Sequence, residues 1–139
     1  MDRRYYQRTK LNIDGLFFLV ERDTFPREFN GTLEDISEGG IKVILDPLTP
    51  KQITDSIAVN DRIQFNSYDE YELFGNSKNV VLSGEVIVVR KDTSNGKIVL
   101  GCKLSPLTDD LSKYISEKKS AHFANIYRKQ NSIEKVFLI

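Results

Sequence analysis

Three arginines and one short run of acidic, hydroxyl and glycine residues hold most of the chemistry in this sequence. Arg4-Tyr5-Tyr6-Gln7-Arg8 sets two arginines four residues apart, with Arg3 directly in front. Further along, Asp35-Ile36-Ser37-Glu38-Gly39-Gly40 brings together a carboxylate, a hydroxyl and two glycines. A guanidinium is a planar fork that grips a phosphate with two parallel hydrogen bonds, and its flat face stacks on a base. A carboxylate accepts from N–H groups, serine is a compact donor, and glycine lets backbone approach where a side chain would clash. The same residues have a plainer reading. Arg3, Arg4 and Arg8 could form a solvated basic terminus, and Asp35 and Ser37 could satisfy backbone groups in a turn at Gly39-Gly40.

The elements that must position these residues read as short strands. Residues 11–20 begin with apolar/polar alternation and end in a continuous apolar run, which predicts a strand entering the core. A second strand is expected over 31–37 and a third over 41–45, with Gly39-Gly40 as a tight turn that uses positive φ. Strict alternation puts Leu33 on the face of Asp35 and Ser37 with Ile36 opposite, so the strand is expected to bend or end near Asp35. Thr49-Pro50-Lys51-Gln52 reads as a capping box opening a short helix near 50–57, with Ile53 and Ile57 on one face. Strands follow at 62–67 and 79–90, joined by a polar loop containing Asp69, Glu70 and Glu72 as a solvated acidic patch. Thr93-Ser94-Asn95-Gly96 is a hairpin turn leading into a strand over 97–104. From Thr108, a plausible N-cap, the period becomes helical with Leu111, Tyr114 and Ile115 on one face, and Phe123, Ile126 and Tyr127 on a rotated one.

Six or so short strands and a terminal helix favour a mainly β fold, an antiparallel barrel or sandwich capped by the helix. The expected organisation is a flexible arm over 1–10, a barrel over 11–106, and a helix with an apolar tail over 107–139.

Composition narrows the function. With 40% hydrophobic residues in 139 the chain can build a core, and no apolar run approaches the roughly 20 residues of a membrane-spanning helix. A charge balance of 20 Lys+Arg against 20 Asp+Glu argues against a DNA or RNA footprint, and the acidic middle of the chain argues against a groove for single strands. Cys102 is the single cysteine and no secretory segment is visible, so a cytoplasmic setting is expected. Cys102 alternates with Leu100 and Leu104 as a small core residue, and His122 has no second ligand at metal spacing. The absence of hydrolase and phosphate-loop motifs, with only one histidine, makes enzymatic activity unexpected.

RxxxR followed by DxSxxG at a strand-to-strand turn resembles the PilZ domain, a bacterial receptor for cyclic di-GMP. The resemblance covers residues 3–116, including Gly84-Glu85-Val86, Gly101-Cys102-Lys103-Leu104 and the helix after Pro106. It departs at Leu104, where the family more often has Phe, and over 46–78, which is longer and more acidic than a minimal domain needs. The resemblance implies a six-or-so-stranded PilZ-like barrel and a binding set of Arg3, Arg4, Arg8, Asp35, Ser37, Gly39 and Gly40. The ligand chemistry agrees, because arginine matches both the phosphates and the O6/N7 edge of guanine, while Asp35 supplies a carboxylate for the opposite edge. A basic residue at Arg3 is similar to family members that take two cyclic di-GMP molecules per chain. The function so implied is a receptor without a cofactor that signals to an effector protein when the ligand orders its N-terminal arm. A nucleotide-independent interaction module is the alternative. The second helix face and the tail Val136-Phe137-Leu138-Ile139 would serve as a homodimer surface, or the tail would fold back and be buried.

Overall fold

The computed structural model describes residues 8–20 and 27–121. Six strands, β1 (Thr9–Leu19), β2 (Glu28–Ser37), β3 (Gly40–Leu45), β4 (Arg62–Leu73), β5 (Asn76–Ser94) and β6 (Lys97–Leu104), close an antiparallel barrel in the order β1-β2-β3-β6-β5-β4. A short helix α1 (Lys51–Ser56) joins β3 to β4, and a helix α2 over 109–121 follows β6. The mainly β architecture with two helices is the one expected from the sequence. Among the described residues no helix is long and apolar enough to cross a membrane. The faces at Phe123, Ile126 and Tyr127, the tail from Val136 and His122 lie outside the described residues.

Alternate residues of each strand fill the barrel. Phe17 stacks on Phe29 with ring centroids 5.2 Å apart and tilts against Phe65 at 6.4 Å. Leu33, Ile36, Ile41, Val43, Val86, Val88 and Leu100 complete the interior, and Ile53 and Ile57 join the same core. α1 is held there by Lys91 of β5, whose ammonium donates to the carbonyls of Thr54 and Ile57 and so satisfies C-terminal helix acceptors.

Three expectations are corrected. The capping box does not form: the Thr49 hydroxyl donates to the Asp46 carbonyl at 2.6 Å, and no side chain caps the N-terminus of α1. The turn begun by Asp46, whose carboxylate also accepts from the Leu48 amide, claims that hydroxyl first. Thr108, by contrast, does cap its helix, accepting from the Leu111 amide at 3.2 Å. Second, the polar stretch between the fourth and fifth strands is not a loop. β4 and β5 stay paired from Arg62↔Ile87 out to Leu73↔Asn76 and turn at Phe74-Gly75, both at positive φ.

Third, Asp69 does not belong to a solvated patch. It faces inward at 6% exposure, accepts from the Tyr114 phenol at 2.7 Å, and pairs with the Lys118 ammonium at 3.0 Å. Tyr71 donates to Glu117 at 2.6 Å and meets the Tyr114 ring edge-on at 5.9 Å. Burial, reinforced by these carboxylate partners, pushes both phenols up from their usual range, so they remain protonated donors. This junction seats α2 on the β4–β5 ribbon. Glu70 and Glu72 do sit on the exposed face, as expected.

Two measurements check this account. Phe74 is 70% exposed at φ 51°, a backbone region that favours Asn or Gly. Phe74→Asn is expected to raise the unfolding free energy by about 1 kcal/mol in urea titration, because the left-handed conformation costs a bulky residue on that order. Burial pushes the Cys102 thiol up to about 12. Native protein at pH 8 should therefore resist thiol reagents, and rapid labelling before unfolding would contradict the packing.

Candidate functional site

An extra residue in β2 assembles the site. On β3, Val43 and Lys42 are consecutive, yet their partners on β2 are Leu33 and Asp35, so Glu34 is the additional residue of a bulge. A matching irregularity in β1, between Lys10 and Ile13, includes Asn12 at φ 59°. The bulge shifts the phase of β2. Leu33 and Ile36 both point into the core although three residues apart, and Asp35 is left on the outer wall. The broken alternation noticed in the sequence is this bulge.

Asp35 sits between Lys10 on β1 and Lys42 on β3 in the strand register, and it receives a hydrogen-bonded ion pair from Arg8, just ahead of β1. The side chains of Arg8 and Asp35 keep 29% and 14% exposure, and the Arg8 Nε is buried with no hydrogen-bond partner among the described residues. A buried donor without an acceptor is uncommon in a folded protein. Lys42 leans towards Glu34 at 3.4 Å. The wall continues past Lys42 to Gly101 of β6 and Arg90 of β5, whose guanidinium nitrogens lie within 3.7–3.8 Å of the point a Gly101 Cβ would occupy. Lys10 and Lys42 carried no sequence signal as neighbours of Asp35, because strand register brings them there.

Ser37 ends β2 and pairs with Gly40 across the turn. It is 4% exposed and accepts from the Gly39 amide at 3.2 Å, so its hydroxyl oxygen stabilises the turn. Gly39 and Gly40 are not among the positive-φ residues, which corrects the conformational reason expected for this pair. Gly40 is required for space: a Cβ there would stand 2.1 Å from the Cys102 carbonyl oxygen, because β6 passes directly beneath. Arg8, Asp35, Ser37, Gly39 and Gly40 thus occupy one end of the β1–β2–β3 wall, while Arg3 and Arg4 lie outside the described residues.

The sequence pattern of the PilZ domain matches residues 2–117, most of the chain. The chain belongs to the PilZ domain family. PilZ domains form a cyclic di-GMP receptor family and act as binding and adaptor modules. Two solved structures share the fold of this PilZ domain. The inhibitor of motility MotI/DgrA of Bacillus subtilis is 19% identical with a TM-score of 0.57, over 94% of this chain and 53% of that one. This chain therefore spans about half the length of the Bacillus protein. The PilZ domain of YcgR from Escherichia coli, solved with cyclic di-GMP, is 13% identical with a TM-score of 0.57, over 94% of this chain and 98% of that one. No curated protein matches the sequence.

Gly40→Ala tests the steric role in this PilZ domain. The added methyl must displace β3 from β6, and urea unfolding is expected to show a loss of about 1–3 kcal/mol, typical of overpacking. An unchanged midpoint would contradict the close approach.

Proposed function

We propose that this chain is a cyclic di-GMP receptor that binds through Arg4, Arg8, Asp35, Ser37 and Gly40, with Arg3 and Gly39 completing the site. The observation that carries the reading is the meeting of the two motifs: Arg8 reaches Asp35 across the strand register and retains a buried Nε without a partner among the described residues. A ligand phosphate supplies the acceptor this donor lacks, and a guanine offers N–H groups to the Asp35 carboxylate. The YcgR domain of shared fold, solved with cyclic di-GMP, supports the same ligand.

The proposed mechanism couples binding to surface change. Arg4 and Arg8 converge on the ligand, which fixes the segment ahead of β1 against the barrel wall beside Asp35. A partner protein reads the surface so formed, and the ligand shifts this equilibrium only by its differential affinity for the closed arrangement. Arg3 adds a third guanidinium for a second, stacked ligand. The chain acts as an adaptor in the cytoplasm, with no catalysis of its own.

Isothermal titration of cyclic di-GMP into wild type, Arg8→Ala and the Arg4→Ala/Arg8→Ala double variant tests this. Arg8→Ala should lose about 1.5–3 kcal/mol, or roughly tenfold to hundredfold in affinity, from its charge-assisted bonds. A stoichiometry near two supports the role of Arg3. Binding by Arg8→Ala within twofold of wild type, or no heat with wild type, would sink the assignment and favour a protein-only module.

A further inference from the structure

A second hollow lies towards the other end of the same wall, away from Arg8 and the β2–β3 turn. Its origin is a pair of glycines. Gly15 of β1 and Gly31 of β2 are direct partners, and both would aim a Cβ at the core. A Cβ on Gly31 would stand 2.8 Å from the Ile44 carbonyl oxygen, and one on Gly15 would stand 3.1 Å from the Phe17 ring. Without side chains at this pair, the two strands settle onto Phe17 and the outer surface dips.

The depression encloses about 420 Å³ and is lined by Asn12, Asp14, Asn30, Thr32, Asp46 and Lys97 among others. It shares Asp14, Gly15 and Asn30 with a shallower hollow of about 410 Å³ that continues to Leu16, Asn66 and Tyr68. Together they make one groove crossing β3, β2, β1 and β4, about 14 Å long at the usual spacing between strands. The side chains of Asn12, Asp14, Asn30, Thr32, Asn66 and Lys97 make no hydrogen bond or ion pair among the described residues. At the far end the Tyr68 phenol donates to Glu70 at 2.7 Å, which holds a ring that is 49% exposed.

We infer that this groove binds a neutral saccharide. Planar amides and carboxylates present donors and acceptors at the spacing of vicinal hydroxyls, each of which both donates and accepts. The Tyr68 ring and Leu16 offer an apolar platform for the C–H face of a pyranose, so polar and apolar surfaces alternate along the groove as they do on a sugar. Phosphorylated ligands are disfavoured, because Asp14 and Asp46 face the hollow with Lys97 as the only cation lining it among the described residues. An extended peptide would gain no backbone ladder here, because β1 and β2 are already paired on both sides along the groove floor.

The test is an amide NMR titration of the full chain with maltotriose, cellotriose and triacetylchitotriose in turn, with a neutral pentapeptide as comparison. Saturable shifts confined to the amides around Asn30, Thr32 and Asn66 with at least one trisaccharide are expected. Asp14→Ala/Asn30→Ala and, separately, Tyr68→Ala should each weaken that binding about tenfold, as expected for losing hydrogen bonds or a stacking face. All three substitutions are on the outer wall, and variants whose amide spectra keep the dispersion of wild type are folded. No saturable shift with any trisaccharide, shifts that survive both variants, or saturation by the pentapeptide instead would overturn the proposal.

Discussion

Glu34 has no counterpart on β3, and the phase of β2 depends on that one unmatched residue. A strand that alternated strictly would place Ile36 on the wall opposite Leu33 and expose a large apolar side chain. The bulge lets Leu33 and Ile36 share the core and leaves Asp35 outside, where Arg8 reaches it. The irregularity in β1 at Asn12 sits in the same stretch of the ladder, so the two strands turn together. The site and the core are thus consequences of the same local defect, and neither can be altered there without the other.

Glycine serves two different steric ends in this wall. At Gly40 it admits the backbone of β6, so the glycine is a packing residue. At Gly15 and Gly31 it lets two strands sink onto Phe17, and the consequence is on the outside as a polar groove. The two places differ in charge. Arg8, Lys10 and Lys42 surround Asp35 with cations, while Asp14 and Asp46 give the groove an acidic lining. One barrel wall therefore carries a basic end and an acidic end.

Both helices are held on the closed barrel through polar groups. Lys91 caps the carbonyls of α1, and Asp69 gathers Tyr114 and Lys118 from α2. A buried carboxylate such as Asp69 is costly when unpaired, so its partners favour one seating of α2 where a purely apolar contact would tolerate several.

The sequence by itself determined most of the element order, because alternation, Asn95-Gly96 and the Thr108 cap are local signals that survive in the fold. Its pattern over residues 2–117 also carries the match to the family. Tertiary structure decided what depends on partners distant in the chain. Whether Asp69 is solvated turned on Tyr114 and Lys118, more than 40 residues away. Whether Thr49 caps a helix turned on competition from Asp46. The reason for Gly40 is the Cys102 carbonyl, and the neighbours of Asp35 are set by register across β1, β2 and β3. Local patterns are legible because adjacent residues make them, whereas register, bulges and cross-barrel contacts are fixed only when the strands close and bury the same set of side chains.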